Sequence, residues 1–481
     1  MLKKFVKMQS IKTYYPSSDL SGHIFLFGRV GSGKSVSGKT VCEGYHDNKG
    51  YKIWDDWGGE RDEHLFWSIP SQEESYWTKF YSLGTFDEKP QKQYKVNFLY
   101  PYFESKLPKK LPKKEGIVTS KIFTIPLKEI TYEDVGLVMN NLSETTINAW
   151  QSIQDECKKT YNSGTLEFLS DKLKVDKSGL LYTGFIAPMI KEKLLSDSYN
   201  DNNIDLVSEA KDRETITILC TEFVPKKFKI FVLNWYIRKL NELIDENKIP
   251  KKNIHFIREA SAFFKTDLDA VLEDRLKRFR AYMTKYLQMG RRGNYFMLDV
   301  QSYSEVKGFV QSSEDYMMMF KTTSPSDKDA MCSELKRDKR MREDQIADLS
   351  FLEQGQCYIY QTGEHQVQKT QMILPRSAFW TKKYGNFYKN VWEKFGGAWM
   401  STEETKDYIN SKLYVLHYDR KTKTTINLSK KENVEEIDIV NINNEKVNPN
   451  IVQDIEKNTE QNTKQNAEQI EIKRLRRYLP A

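Results

Sequence analysis

Eight residues near the start of the chain carry the clearest chemistry. Gly28, Arg29, Val30, Gly31, Ser32, Gly33, Lys34 and Ser35 fit the pattern GxxxxGK(S/T), and Val36 follows directly. Glycines at these positions let the backbone curl so that successive N–H groups converge on one point, which suits phosphate oxygens. Lys34 can reach the β- and γ-phosphates of a nucleotide, and the Ser35 hydroxyl can ligate Mg²⁺. So short a pattern is credible only in the right place, between a strand and a helix. His23–Phe27 (HIFLF) is an apolar run with strand character, and Ser35–Tyr45 reads as a helix. The helix N-terminus adds partial positive charge beside the loop.

Hydrolysis of a nucleoside triphosphate needs acids at the end of a neighbouring strand, one to hold the metal's water shell and one to polarise the attacking water. Asn253–Ile257 (NIHFI) reads as such a strand, and Glu259 stands just beyond it. Glu259 is the candidate for activating water, and with Ser35 it is a candidate for metal contact. The preceding residue is Arg258, where an acid is expected. Either another acid, Asp55, Asp56 or Asp299, helps to hold the metal, or hydrolysis is impaired. Gln301 follows the run YFMLDV and is placed to hydrogen-bond a γ-phosphate or the attacking water. Arg291 and Arg292, in the loop before that run, can reach the phosphates of a neighbouring subunit. An arginine supplied in that way is worth about 10³–10⁵ in rate.

The elements that must position these groups alternate. Tyr51–Trp54, Thr215–Phe223, Tyr295–Val300 and Tyr316–Lys321 read as further strands, and Gln356–Gln361 with Gln368–Leu374 as a closing pair. Phe228–Glu246 reads as an amphipathic helix. Residues 269–288 read as another, with Leu272, Leu276, Phe279, Met283 and Leu287 at helical spacing as a core stripe. This alternation predicts an α/β fold, a mostly parallel sheet with helices on both faces. Residues 60–214 are less regular. They hold several expected helices, such as Glu144–Tyr161, and the basic loop KLPKKLPKK with its five lysines and two prolines. Residues 441–470, with eight Asn, four Gln and no aromatic, read as a disordered linker, and the chain ends in the basic run EIKRLRRYLPA.

Composition sets the outer limits. The 481 residues are 30% charged, 39% hydrophobic and 13% aromatic, with a net charge of +8. Collagen, coiled-coil rods and disulfide-rich toxins are excluded. The mild basic excess permits a polyanionic partner without requiring one. Cys42, Cys157, Cys220, Cys332 and Cys357 include no CxxC pair and no zinc spacing, as in a reducing compartment. The N-terminus lacks an apolar run of signal-peptide length, and no stretch approaches the ~18 apolar residues that span a bilayer. A soluble, cytoplasmic protein without a membrane partner is expected.

Several blocks in order resemble the HerA–FtsK superfamily of hexameric DNA-translocating ATPases, which includes HerA helicases, conjugative ATPases and viral genome-packaging ATPases. The blocks are FGRVGSGKS (27–35), IWDDWGGE (53–60), ITILCTEFVPKKFKIFVLNWYIRKL (216–240), IHFIREASAFF (254–264), MGRRGNYFMLDVQSYSEV (289–306), FKTTSPSDKDAM (320–331) and LEQGQCYIYQ…LPR (352–376). They frame residues 20–376. The resemblance implies a P-loop NTPase with a RecA-like core from residues 23–59 and 215–380, after an N-terminal segment 1–22. It implies a large, mostly helical insertion at 60–214, an extension at 381–440 and a partly disordered tail at 441–481. It implies an ATP- and Mg²⁺-dependent motor that moves DNA through a homohexameric ring, in viral genome packaging or mobile-element transfer. A capsid, nuclease or relaxase protein would be its partner, and a viral procapsid one place to find it. Lys34 and Ser35 would be the Walker A pair, Glu259 the Walker B glutamate, Gln301 the sensor, and Arg291 or Arg292 the trans-acting arginine. Asp55 or Asp56 would stand where the family often has an acid before a Gly-Glu pair. Arg258 departs from the pattern and motivates the alternative, a nucleotide-binding assembly scaffold with weak or no hydrolysis.

Overall fold

In a computed structural model, the described residues are 19–20, 22–57, 61–71, 91–106, 108–139, 144–157, 185, 187–196, 204–264, 269–289, 293–304, 314–331, 333, 341–361, 367–379, 392–412, 416–419 and 424–427. Arg291, Arg292, the linker at 441–470 and the basic terminus lie outside them. Contacts divide the chain into residues 1–415 and a second unit, 416–481, whose described part is an antiparallel pair, Leu416–Asp419 with Thr424–Asn427.

The first unit is built on a sheet of ten strands among the described residues. They are β1 (His23–Phe27), β2 (Lys52–Trp57), β3 (Lys95–Pro101), β4 (Val118–Phe123), β5 (Thr215–Cys220), β6 (Asn253–Ile257), β7 (Asn294–Val300), β8 (Glu314–Met319), β9 (Gln356–Gln361) and β10 (Gln368–Gln371). Their spatial order is β10-β9-β8-β1-β7-β6-β2-β5-β3-β4. All neighbours run parallel except β8–β9 and β9–β10, the closing antiparallel pair. The order places β7 between the strand that leads into the glycine loop and the strand that leads to Glu259. The expected α/β class is therefore the observed one.

Both faces of the sheet are buried, and the strand sequences show why. Ile24 and Leu26 of β1 pack into one core with Val41, Cys42 and Tyr45, while Phe25 and Phe27 pack into the other with Phe231, Leu276 and Phe279. Successive side chains on a strand point to opposite faces. A strand covered twice must therefore be apolar on both faces, which HIFLF is at every position after His23, whose buried ring is hydrogen-bonded to the Leu287 carbonyl. Helix α1 (Lys34–Lys49) covers the first face. Its Gly38 lets it lie close, since a Cβ there would stand 2.7 Å from both Leu26 Cδ1 and Phe256 Cζ. Helices α2 (Tyr132–Val138), α3 (Glu144–Cys157), α4 (Lys226–Asp245) and α5 (Ala270–Met289) contribute to the second core. On α5 the expected stripe is in place: Leu276, Phe279, Met283 and Leu287 are buried and Leu272 packs at the edge. Each fully buried side chain of this kind contributes about 1.5–3 kcal/mol.

Strands β3 and β4 come from the stretch read as less regular, and they extend the sheet beyond β5. The prolines of the basic loop are not idle either: Pro112–Lys113 pairs with Ala398–Trp399. Strand β2 runs on past Trp54 to Trp57, so Asp55 and Asp56 lie within the sheet and not beyond its end. Among the described residues no helix is long and apolar enough to cross a membrane.

The outer side of α1 is held by a strap at residues 373–378. Thr40 Oγ1 donates to the Ile373 carbonyl at 2.9 Å and Lys39 Nζ to the Ala378 carbonyl at 2.5 Å. Glu43 accepts from the Arg376 N–H, the Ser377 N–H and the Ser377 hydroxyl. At the end of α1, Asp47 accepts from Lys92 at 2.7 Å, Tyr94 at 2.8 Å and Arg376 at 2.8 Å. Burial pushes the Asp47 carboxyl up, but hydrogen bonds from His46, Lys92 and Tyr94 outweigh it and bring the group from 3.8 down to about 2. A carboxyl held below its unfolded value adds stability above that value and loses it as pH falls through the folded one. Asp47→Asn is expected to cost about 2 kcal/mol at pH 7. In urea unfolding, the gap between variant and wild type should close as the pH falls from about 4 to about 2.

Candidate active site

The loop from Gly28 to Gly33 joins β1 to α1, as the motif requires. Gly28 has φ 146° and Gly33 φ 99°, both disfavoured for residues with a Cβ. Space closes the same positions. A Cβ at Gly28 would lie 2.8 Å from Phe320 Cβ, and one at Gly33 would lie 2.9 Å from the Gly355 nitrogen. Two backbone bonds hold the loop from behind: Arg29 N–H donates to the Lys321 carbonyl at 2.9 Å, and Gly355 N–H to the Ser32 carbonyl at 3.0 Å. The Ser32 hydroxyl is buried with no hydrogen-bond partner. Gly31, Arg29 and Val30 are exposed at the tip, and Val36 lies in the first turn of α1.

Lys34 and Ser35 converge on one carboxylate. The Ser35 hydroxyl donates to Asp299 Oδ2 at 2.5 Å, and Lys34 Nζ stands 3.6 Å from Asp299 Oδ1 and 3.2 Å from the Arg29 carbonyl. Asp299 is on β7, directly beside β1 in the sheet, where Leu26 is its register partner. Of the three acids that the sequence offered to the metal, the structure brings only Asp299 to the glycine loop.

The other two are engaged elsewhere. Arg258 grips Asp55 through Nε at 3.0 Å and Nη2 at 2.8 Å, with both side chains buried. Trp67 Nε1 adds a third donor to Asp55 at 2.6 Å. The expectation that Asp55 or Asp56 belongs to the site therefore fails for a topological reason: their strand is separated from β1 by β6 and β7. Asp56 faces His255 at 3.3 Å, and burial raises its carboxyl against the pull of that histidine. His255 continues to Asn294 at 2.7 Å, under the sheet.

Glu259 follows Arg258 at the end of β6, with φ 48°. A residue with a Cβ is strained there, at a cost of about 1–3 kcal/mol, and such strain gathers at functional sites. Its side chain is exposed into a cavity of about 800 Å³ that Arg29, Val30 and Gln301 also line. The Ala260 N–H bonds the Asp299 carbonyl at 2.8 Å and the Gln301 N–H bonds Ser261 Oγ at 2.9 Å, so the ends of β6 and β7 are fixed to each other. The structure thus brings together the glycine loop, Lys34, Ser35, Glu259 and Gln301.

Asp327 belongs to the same cavity and was not singled out from the sequence. It is buried and accepts from Ser302 Oγ at 2.7 Å, the Ser304 N–H at 3.0 Å and Thr322 Oγ1 at 3.4 Å. It ties the segment after Gln301 to the segment that backs the glycine loop. Only its place in the block FKTTSPSDKDAM marked it.

No family model matches the sequence, and no curated protein matches it. Among solved structures the chain is similar to VirB4 of Thermoanaerobacter pseudethanolicus, at 10% identity over 73% of this chain and 89% of that one, with a TM-score of 0.45. It is similar to the bacterial conjugative coupling protein TrwBdeltaN70 in complex with sulphate, at 12% identity over 78% and 93%, with a TM-score of 0.46. It is also similar to the genome packaging NTPase B204 from Sulfolobus turreted icosahedral virus 2, at 10% identity over 74% and 100%, with a TM-score of 0.31. A glycine loop between a strand and a helix, on a mostly parallel sheet whose neighbouring strands carry Asp299, Glu259 and Gln301, makes this the fold of a P-loop NTPase.

Proposed function

We propose that the protein is an ATP-driven DNA translocase, a homohexameric motor of the HerA–FtsK type. The observation that carries the reading is the convergence of Lys34 and Ser35 on a carboxylate beside the glycine loop, with Glu259 and Gln301 in the adjoining cavity. The loop N–H groups and the α1 N-terminus bind the phosphates, and Lys34 carries positive charge to them. Glu259 accepts a proton from the attacking water, and Gln301 orients that water and reads the γ-phosphate.

The residues present fit Mg²⁺. A serine hydroxyl and a carboxylate beside a phosphate cradle form an oxygen-only donor set, the kind that hard cations take. Among the described residues no group of three or more His, Cys, Asp or Glu is arranged to hold a metal, so phosphate and water must supply the other ligands. When bound, the ion would be held by the Ser35 hydroxyl and the Asp299 carboxylate and would supply positive charge to the phosphates. Arg291 or Arg292 completes the site of the next subunit in the ring.

Arg258 no longer favours the scaffold reading. Its guanidinium is committed to Asp55, so it is not held ready for a phosphate. Packaging into a capsid and mobile-element transfer both use such a motor, and residues 23–59 and 215–380 would form it.

Four outcomes are expected. Lys34→Ala weakens ATP binding at least about tenfold, and Glu259→Gln keeps binding while lowering DNA-stimulated phosphate release about 10²–10⁴-fold. Normal turnover in both variants would sink the assignment. Gln301→Ala lowers kcat more than it raises KM, as a group that acts in the transition state should. Electron microscopy with an ATP analogue and DNA should give six-fold rings with DNA in the channel, and particles that stay monomeric under those conditions would refute the ring.

A further inference from the structure

The residue that stands where a metal-holding acid is expected is an arginine, and that arginine is buried in an ion pair. The bond to Asp55 is bidentate and both partners are nearly inaccessible, at 6% and 2% exposure. Breaking such a pair from one side leaves an uncompensated buried charge. Position 258 is therefore structural in this chain. It closes the end of β6 onto β2 and fixes the turn in which Glu259 holds its left-handed backbone.

The vacated duty has a visible successor on the next strand. Asp299 touches the hydroxyl of Ser35 and faces the ammonium of Lys34, so it contacts both side chains that the motif assigns to phosphate and metal. It is 3% exposed, and β7 lies between β1 and β6. We infer that the carboxylate which orients the Mg²⁺ of a bound nucleotide is Asp299 on β7, and that Arg258 and Asp55 form a positioning pair in place of the usual acid on β6. Metal handling and water activation then come from adjacent strands, Asp299 on one and Glu259 on the other. This inference rests on the reading of the loop as a nucleotide site.

The test is the effect of Mg²⁺ on binding of a fluorescent ATP analogue, measured in EDTA and in excess Mg²⁺. Wild type should bind at least about tenfold tighter with Mg²⁺, the size of an ordinary coupling between two ligands. Asp299→Asn, close in shape and neutral, should lose that tightening, its own affinities in EDTA and in Mg²⁺ agreeing within about twofold. Ser35→Ala should lose it as well, which guards against misfolding of one variant, and thermal unfolding shows that each is folded. The paired variant Asp55→Leu with Arg258→Met removes both charges at once and should keep the tightening. Full tightening in Asp299→Asn, or its loss in the paired variant, overturns the assignment while leaving the nucleotide site standing. Absence of any nucleotide binding by wild type overturns the site itself.

Discussion

With a bond of its own from the Ser32 N–H to the Arg29 carbonyl at 3.2 Å, a loop that offers its other N–H groups to a phosphate has little else to hold itself together. It must be fixed from outside, by groups that reach its carbonyls and its rear face. Here the fixing comes from far along the chain: Lys321 receives the Arg29 N–H, and Gly355 donates to Ser32. Glycines 28 and 33 are required by the same demand, because the bracing backbone comes within the distance where a Cβ would stand. The exit of β8 and the entry to β9 must therefore be built before the loop has its shape. The closing antiparallel pair brings that brace into register.

Charge allocation at the strand ends follows from sheet order. Four acids lie near the relevant edge: Asp55, Asp56, Glu259 and Asp299. The two on β2 are separated from β1 by two strands, and each has a local partner, Arg258 for Asp55 and His255 for Asp56. Asp299, on the strand next to β1, meets Lys34 and Ser35. Glu259 keeps an exposed carboxylate because its turn is strained and its neighbour Arg258 is anchored. A buried charge needs a partner, and here the partners decide which acids remain available for chemistry.

Much of this was legible from residue types and spacing. HIFLF and NIHFI could be read as strands because a doubly covered strand is mostly apolar, with His23, Asn253 and His255 the buried exceptions here, and the α5 stripe because helical burial repeats every three or four residues. The glycine loop was legible because its chemistry is local. What was not legible was pairing across distance. Arg258 looked like a defect because its partner lies 203 positions away, and Asp299 looked like one acid among three. Strands β3 and β4 escaped because β3 (KVNFLYP) offers only a short apolar run and β4 (VTSKIF) carries Thr119, Ser120 and Lys121 among its apolar residues. Asp327 carries no local signal, since its role depends on where Ser302 and Thr322 are brought.

The strap at 373–378 bears on how the chain comes into being. Helix α1 leaves the ribosome more than three hundred residues before the strap, yet Lys39, Thr40, Glu43 and Asp47, beside nearer partners such as Val36, His46, Trp67, Lys92 and Tyr94, each take one from it. Until those arrive, buried-to-be charges on α1 are open to water and the helix has only one face to pack. Contacts of such high sequence separation form slowly, because loop closure must precede any gain. The glycine loop and its helix are thus translated before the strap and completed after it, so a chain released before residue 378 would carry the whole glycine motif without the frame that gives it shape.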